Sequence, residues 1–225
     1  MESGIPGLDK LIEGGFVKGS TNLIAGRTGT GKTIFGIQFL LHGLRKGENG
    51  VYITLEEGID EIIEDVSKFG WEKELRKFMK EGKLIMYSQP PTSIKELHEI
   101  SFNLIRKNNA KRFVLDSLSV ATMGWKESSL DIGKIRTEIF EYIKMLKNAG
   151  VTSLLITEIL ETEPKALSRF GFEEFVVDGV IILHYMEYAA GESPRSLIIR
   201  KMRRTDHGTD IYPFEISKHG IRVLE

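Results

Sequence analysis

The chain has 225 residues, 31 Lys+Arg against 32 Asp+Glu for a net charge of −1, and 41% hydrophobic side chains. That length fits one α/β domain over 1–225 with a sizeable core, and the near-neutral charge gives no polybasic footprint for tight non-specific binding to nucleic acid. With no cysteine, a disulfide framework and a thiolate metal site are both excluded.

The N-terminus, MESGIPGLDKLIEGG, lacks the basic-then-apolar pattern of a signal peptide. Thr21–Ala25 is a short apolar run ending in glycine and reads as a buried strand. From Lys32, KTIFGIQFLLHGLRKG reads as a helix closing at Gly47, and GVYITLEE as a second buried strand ending at two carboxylates. IDEIIEDVSKFG carries Ile59, Ile62, Ile63, Val66 and Phe69 at helical spacing and stops at Gly70. KLIMYS reads as the third strand; TSIKELHEISFNLIRKN follows as a helix with Ser93 as N-cap, and KRFVLDS as the fourth strand. LDIGKIRTEIFEYIKMLKNAG stripes Ile132, Ile135, Ile139, Ile143 and Leu146 on one helix face, and TSLLITE reads as the fifth strand. The stretch EEFVVDGVIILHY is short and broken by Asp178, so it reads as a buried strand and not a membrane span. With RSLIIRKM, DIYPFEI and IRVL it predicts antiparallel strands added to one edge. Strands alternating with amphipathic helices imply a mostly parallel sheet flanked by helices. A soluble, cytoplasmic protein with no membrane partner is expected.

Four motifs carry chemistry. GRTGTGKT matches G-x-x-x-x-G-K-[ST] in full, with an apolar strand before it and a helix after it. Its glycines let backbone N–H groups turn inward on phosphate oxygens, and the helix N-terminus adds positive field. Lys32 can reach the β/γ-phosphates and the Thr33 hydroxyl can ligate Mg²⁺. RFVLDS ends an apolar strand in Asp116, a common structural ending by itself but the expected Mg²⁺ carboxylate behind a complete P-loop. YITLEE puts Glu56 and Glu57 at a strand's carboxyl end, where open α/β sheets bind ligands. Glu56 is read as the base that deprotonates the attacking water, with Glu57 in support; a solvated acidic start to the next helix is the plainer reading. In KMRRTDHG, Lys201, Arg203 and Thr205 alternate and so share one face of a strand, with His207 at the same spacing. Such a row suits a γ-phosphate contact, and equally suits a basic edge that resists strand pairing.

With these pieces in order the chain resembles the KaiC-type branch of the RecA-like P-loop ATPases. GIPGLDKLIEGGFVKGS, GRTGTGKT, YITLEE, LDS, SLLITE, RFGFEEFVVDGVIIL and KMRRTDHG…YPFEI…HGIRV follow the family's order over essentially the whole chain. The resemblance implies one RecA-like core that binds ATP/ADP with Mg²⁺ and hydrolyses ATP, as a nucleotide-dependent switch. It further implies a homo-oligomeric ring, commonly a hexamer, with nucleotide between subunits. One subunit supplies Gly29, Thr30, Gly31, Lys32, Thr33, Ile34 and the carboxylates Glu56 and Glu57; its neighbour supplies Lys201, Met202, Arg203, Thr205 and His207, with Arg203 acting catalytically in trans. The chain departs from the pattern at Arg27 and Thr28, where the family usually has a small residue and proline. Ile159 stands where the family often has arginine. Glu174 and Phe175 stand where the family's two-core circadian-clock member carries phosphoacceptors in its second core.

Two other functions share this core. A recombinase-like nucleic-acid motor would use the loops SVATMGWKESS and LETEPKALSRFG, which hold few basic residues (Lys126, Lys165, Arg169). A nucleotide-binding signalling module would show negligible turnover.

Overall fold

The computed structural model describes residues 1–122, 132–159, 168, 171–185 and 195–224. In chain order its elements are α1 (Leu8–Leu11), β1 (Thr21–Gly26), α2 (Lys32–Arg45), β2 (Gly50–Thr54), α3 (Ile59–Ser67), α4 (Glu72–Lys80), β3 (Leu84–Ser88), α5 (Ile94–Asn108), β4 (Arg112–Asp116), α6 (Ile132–Asn148), β5 (Thr152–Glu158), α7 (Glu173–Val176), β6 (Gly179–Tyr185), β7 (Arg195–Met202), β8 (Ile211–Ser217) and β9 (Gly220–Val223). The described strands form one sheet in the order β3-β2-β4-β5-β1-β6-β7-β8-β9.

The apolar runs at β1, β2 and β4 are buried because helices cover both faces. One core layer gathers Ile24, Tyr52, Val114 and Ile156 with Phe35, Phe39 and Leu40 of α2. The other gathers Leu23, Ile53, Leu115 and Leu155 with Leu97 of α5 and Ile135, Ile139 and Tyr142 of α6. Strands β3, β2, β4, β5, β1 and β6 run parallel, which aligns their carboxyl ends along one rim of the sheet. The mostly parallel, helix-flanked α/β sheet with antiparallel strands at the C-terminal edge is the architecture the sequence predicts.

Four details differ from the sequence-based expectation. Strand β6 pairs parallel to β1, and antiparallel pairing begins only at β7. Strand β2 stops at Thr54 instead of running to Glu57, because Thr54 Oγ1 accepts the N–H groups of Glu56 (3.3 Å) and Glu57 (3.1 Å) and turns the chain. Helix α4 was not foreseen: its sequence, EKELRKFMK, is mostly charged, and it buries only Leu75 and Phe78. Strand β7 ends at Met202, and Arg204 takes a positive φ of 63°, so Arg203, Thr205 and His207 leave the strand and do not alternate along it.

The edge is fastened to the core by α2. Gln38 donates to the carbonyls of Gly4 and Ile221 and accepts the Ile221 N–H at 2.7 Å. At the far end of β4, the buried Arg112 donates to Glu48 (2.6 Å) and to the carbonyls of Glu2 and Phe39, with its guanidinium 4.4 Å from the Phe39 ring centroid. No described helix is long and apolar enough to cross a membrane.

Candidate nucleotide site

The loop between β1 and α2 is shaped by its own sequence. Thr30 N–H and Oγ1 both meet the Arg27 carbonyl, the hydroxyl at 2.8 Å. Gly31 sits at φ 98°, in the left-handed region, and a Cβ there would lie 2.8 Å from Cδ1 of Ile216 on β8. Glycine is therefore required for its backbone angle, and it also leaves room for the Ile216 side chain. Lys32 Nζ donates to the Arg27 carbonyl at 2.9 Å, folded back over the loop.

Parallel registry brings the carboxylates to this loop. Gly26 stands beside Glu158 across β1 and β5, and Thr54 beside Asp116 across β2 and β4. Thr33 Oγ1 donates to Asp116 Oδ2 at 2.7 Å, and Tyr52 donates to the same oxygen at 2.7 Å. Ser117, itself buried, donates to Glu56 Oε1 at 2.5 Å. Desolvation pushes the carboxyls of Asp116, Glu56 and Glu57 above the ordinary carboxylate range. At Asp116 the Tyr52 and Thr33 hydroxyls pull back, and at Glu56 the Ser117 hydroxyl does. Burial lowers Lys32, while Glu158, Asp116 and Glu56 hold it up. Immediately around Lys32 the carboxyls of Glu158, Asp116 and Glu56 outnumber it, which suits a divalent cation arriving with an anionic ligand.

A cleft of about 610 Å³ opens from this rim, with Gly29, Gly31, Lys32, Thr33 and Ile34 on one wall. Facing them are Lys68 and Phe69 beyond α3, Arg195 at the start of β7, and Ser217 and Lys218 at the end of β8. A larger groove, about 810 Å³, runs between α5 and α6 past Phe102 and Met145. It touches neither the loop nor the strand ends, so the smaller cleft is the candidate site.

The structure therefore brings together Gly29, Thr30, Gly31, Lys32, Thr33, Ile34, Glu56, Glu57 and Asp116. It does not bring Lys201, Met202, Arg203, Thr205 and His207 to them. Met202 pairs with Gly179, and Gly179 with Asn22 at the start of β1, whereas the P-loop leaves β1 at Gly26. That is about 13 Å along the strands and about 10 Å across two of them. Lys201 Nζ is committed locally to the carbonyls of Val177 (2.7 Å), Glu174 (2.8 Å) and Phe175 (3.4 Å). Arg203 donates to the Phe175 carbonyl at 3.2 Å, and its side chain stays half exposed. Met202 is buried, and His207 Nδ1 lies 2.9 Å from the Gly208 carbonyl.

Over residues 1–225 the chain matches the family profile described as "ATPase: KaiC". The chain belongs to the KaiC ATPase family. A circadian clock oscillator protein KaiC from Synechococcus elongatus is 36% identical over all of this chain and 44% of its own length. The chain spans less than half the length of the KaiC clock proteins it matches, while a UPF0273 protein of Thermotoga maritima is 35% identical across 99% of this chain and 95% of its own. A crystal structure of a KaiC-like protein from the hyperthermophilic archaeon Pyrococcus horikoshii OT3 superposes with a TM-score of 0.87 at 40% identity, covering 100% of this chain and 98% of that one.

Within this KaiC fold, sequence reasoning missed Tyr52, Ser117 and Glu158 around the carboxylates. Glu158 and Ser117 carry a usable signal, a polar residue at or just past the end of a buried strand. Lys68, Arg195 and Lys218 carry none, since three distant elements meet only in the folded cleft. Lys126, Lys165 and Arg169 lie outside the described residues.

Proposed function

We propose that this KaiC-family chain binds ATP on the P-loop and hydrolyses it slowly, as a nucleotide-dependent switch in a homo-oligomeric, ring-shaped assembly, on the hexameric pattern. The observation that carries this reading is the division of the site. Lys32, Thr33, Glu56 and Asp116 converge on one rim, while Arg203 lies at the opposite end of the same sheet. A second copy supplies what one chain lacks.

Lys32 leaves the Arg27 carbonyl for the β/γ-phosphates, and the inward N–H groups of Gly29 to Thr33 cradle them. The Thr33 hydroxyl would offer Mg²⁺ a hard oxygen donor, and the Asp116 carboxylate beside it would hold the ion through its water. Held by these residues, Mg²⁺ would supply neutralisation of the charge on the phosphate oxygens. Glu56, oriented by Ser117, takes a proton from water as that oxygen attacks the γ-phosphorus. The bond to the β–γ bridging oxygen breaks and its electron pair leaves on ADP. Arg203 of the neighbouring copy, whose guanidinium keeps donors to spare, meets the charge that develops on the γ-phosphoryl oxygens.

The test measures nucleotide binding, phosphate release and native mass together, with and without ATP and Mg²⁺. Lys32→Ala is expected to lose ATP binding, and Thr33→Ala to lose mainly the dependence on Mg²⁺. Unchanged ATP affinity in Lys32→Ala would overturn the P-loop reading. ATP binding with no phosphate release would make the chain a binding switch. Salt-dependent retention of single-stranded DNA would favour the nucleic-acid motor.

A further inference from the structure

We propose that Tyr52 is a positioning residue for the metal-binding carboxylate, fixing the rotation of Asp116 so that its second oxygen stays available to the metal's water shell. This rests on the reading of Thr33 and Asp116 as the Mg²⁺ site.

Tyr52 lies on β2 opposite Val114, two residues short of the Thr54–Asp116 pair. Its side chain and that of Asp116 share the sheet face under α2, so the phenol reaches Asp116 along the diagonal of the strand pair. The ring is fully buried among apolar side chains. A residue that only filled this space would serve as well without a hydroxyl, since a buried phenol costs free energy until it finds a partner. The partner it has is charged, at 2.7 Å, which makes the bond charge-assisted and directional.

Two hydroxyls, from Tyr52 and Thr33, converge on Oδ2 of Asp116. Among the described residues Oδ1 takes no side-chain hydrogen bond. The two donors differ in what they are free to do. Thr33 lies in the first turn of α2 at the mouth of the cleft, where its hydroxyl oxygen would be shared with the metal. Tyr52 is enclosed and stays. Its bond then holds Oδ2 in place, and the carboxylate cannot swing to present both oxygens inward or turn both toward Lys32.

The test uses the full chain, a non-hydrolysable ATP analogue and Mn²⁺ as a paramagnetic probe, with free Mn²⁺ read by electron paramagnetic resonance. Tyr52→Phe keeps the ring and removes only the hydroxyl. It is expected to weaken Mn²⁺ binding in the ternary complex at least about tenfold, the scale of one lost hydrogen bond to a charged group. Binding of the analogue in EDTA should stay unchanged. In an Asp116→Asn background, Tyr52→Phe should add nothing, because its effect runs through that carboxylate. Wild-type Mn²⁺ affinity in Tyr52→Phe overturns the positioning role alone. So does a Tyr52→Phe effect that multiplies with that of Asp116→Asn, and so does loss of analogue binding in EDTA, which would make the phenol a support of the loop. A wild-type chain with no nucleotide-dependent Mn²⁺ site overturns the site reading itself and the positioning role with it.

Discussion

Burial lifts the Glu56 carboxyl above the ordinary carboxylate range against the short Ser117 bond, which favours its charged form. The charged form is the one a general base needs, so turnover should fall with acid at a higher pH than for an ordinary carboxylate. Ser117→Ala should move that acid limb further up, since it removes a bond to the anion. Stability runs the other way. A carboxyl whose folded pKa is raised binds its proton more tightly folded than unfolded, so its charge destabilises the fold above the folded value and costs nothing below the unfolded one. Glu56→Gln should therefore bind ATP, hydrolyse it at least about a hundredfold more slowly, and melt at a higher temperature than wild type at pH 8. The gap should close as pH falls through the ordinary carboxylate range. Thermal melts from pH 4 to 8 beside phosphate-release assays check this, and a variant that melts lower at pH 8 refutes the strain. If Glu57→Gln loses the rate and Glu56→Gln does not, the base is one residue along.

Helix α2 shows how one element serves both ends of the sheet. Its first residues hold the P-loop; Gln38 fastens β9 and the N-terminal segment; Gly43 lets the chain pass over Arg112. Gly→Ala inside a helix ordinarily gains about 1 kcal/mol. At Gly43 a Cβ would lie 2.1 Å from Arg112 Nε, and that guanidinium is fixed by Glu48, two carbonyls and the Phe39 ring. Gly43→Ala should therefore destabilise by about 1–3 kcal/mol, the usual cost of overpacking. The reading is a lower urea midpoint with an unchanged m-value; a raised midpoint would mean that Arg112 moves aside freely. The same scale explains what was legible. Helices α3, α5 and α6 carry apolar stripes, and the Ser93 cap accepts the Glu96 N–H as its position implied. Helix α4 carries mostly charge, so its pattern offered too little apolar periodicity.

Across the whole molecule the phosphate loop and the cationic stretch lie at opposite ends of one rigid sheet, and no single side chain spans that distance. In the proposed assembly Lys32→Ala and Arg203→Ala should each be inactive alone yet complement each other. In a mixed assembly some interfaces pair an intact P-loop with an intact Arg203. Phosphate release should return on mixing and rise with protein concentration, since an arginine supplied in trans is worth about 10³–10⁵ in rate. Mixed oligomers that form, shown by native mass, but restore nothing would leave the row as a solvated edge.

The order of apolar runs and stripes was sufficient to place a parallel α/β sheet and to put the P-loop, Glu56 and Asp116 at strand ends, because parallel strands joined by helices must point their carboxyl ends the same way. Local spacing fixed which residues could meet a phosphate. Tertiary structure alone decided the remainder. Tyr52 reads as one more buried aromatic until registry places it diagonally across from Asp116. The cationic row reads as a strand face until Arg204 breaks it and α7 takes up Lys201 through its carbonyls. Lys68, Arg195 and Lys218 become one cleft only when the C-terminal strands fold back beside the loop. Periodicity reports the face a side chain turns toward the core. Which distant side chain it meets there is set by strand order and register, to which a local pattern is blind.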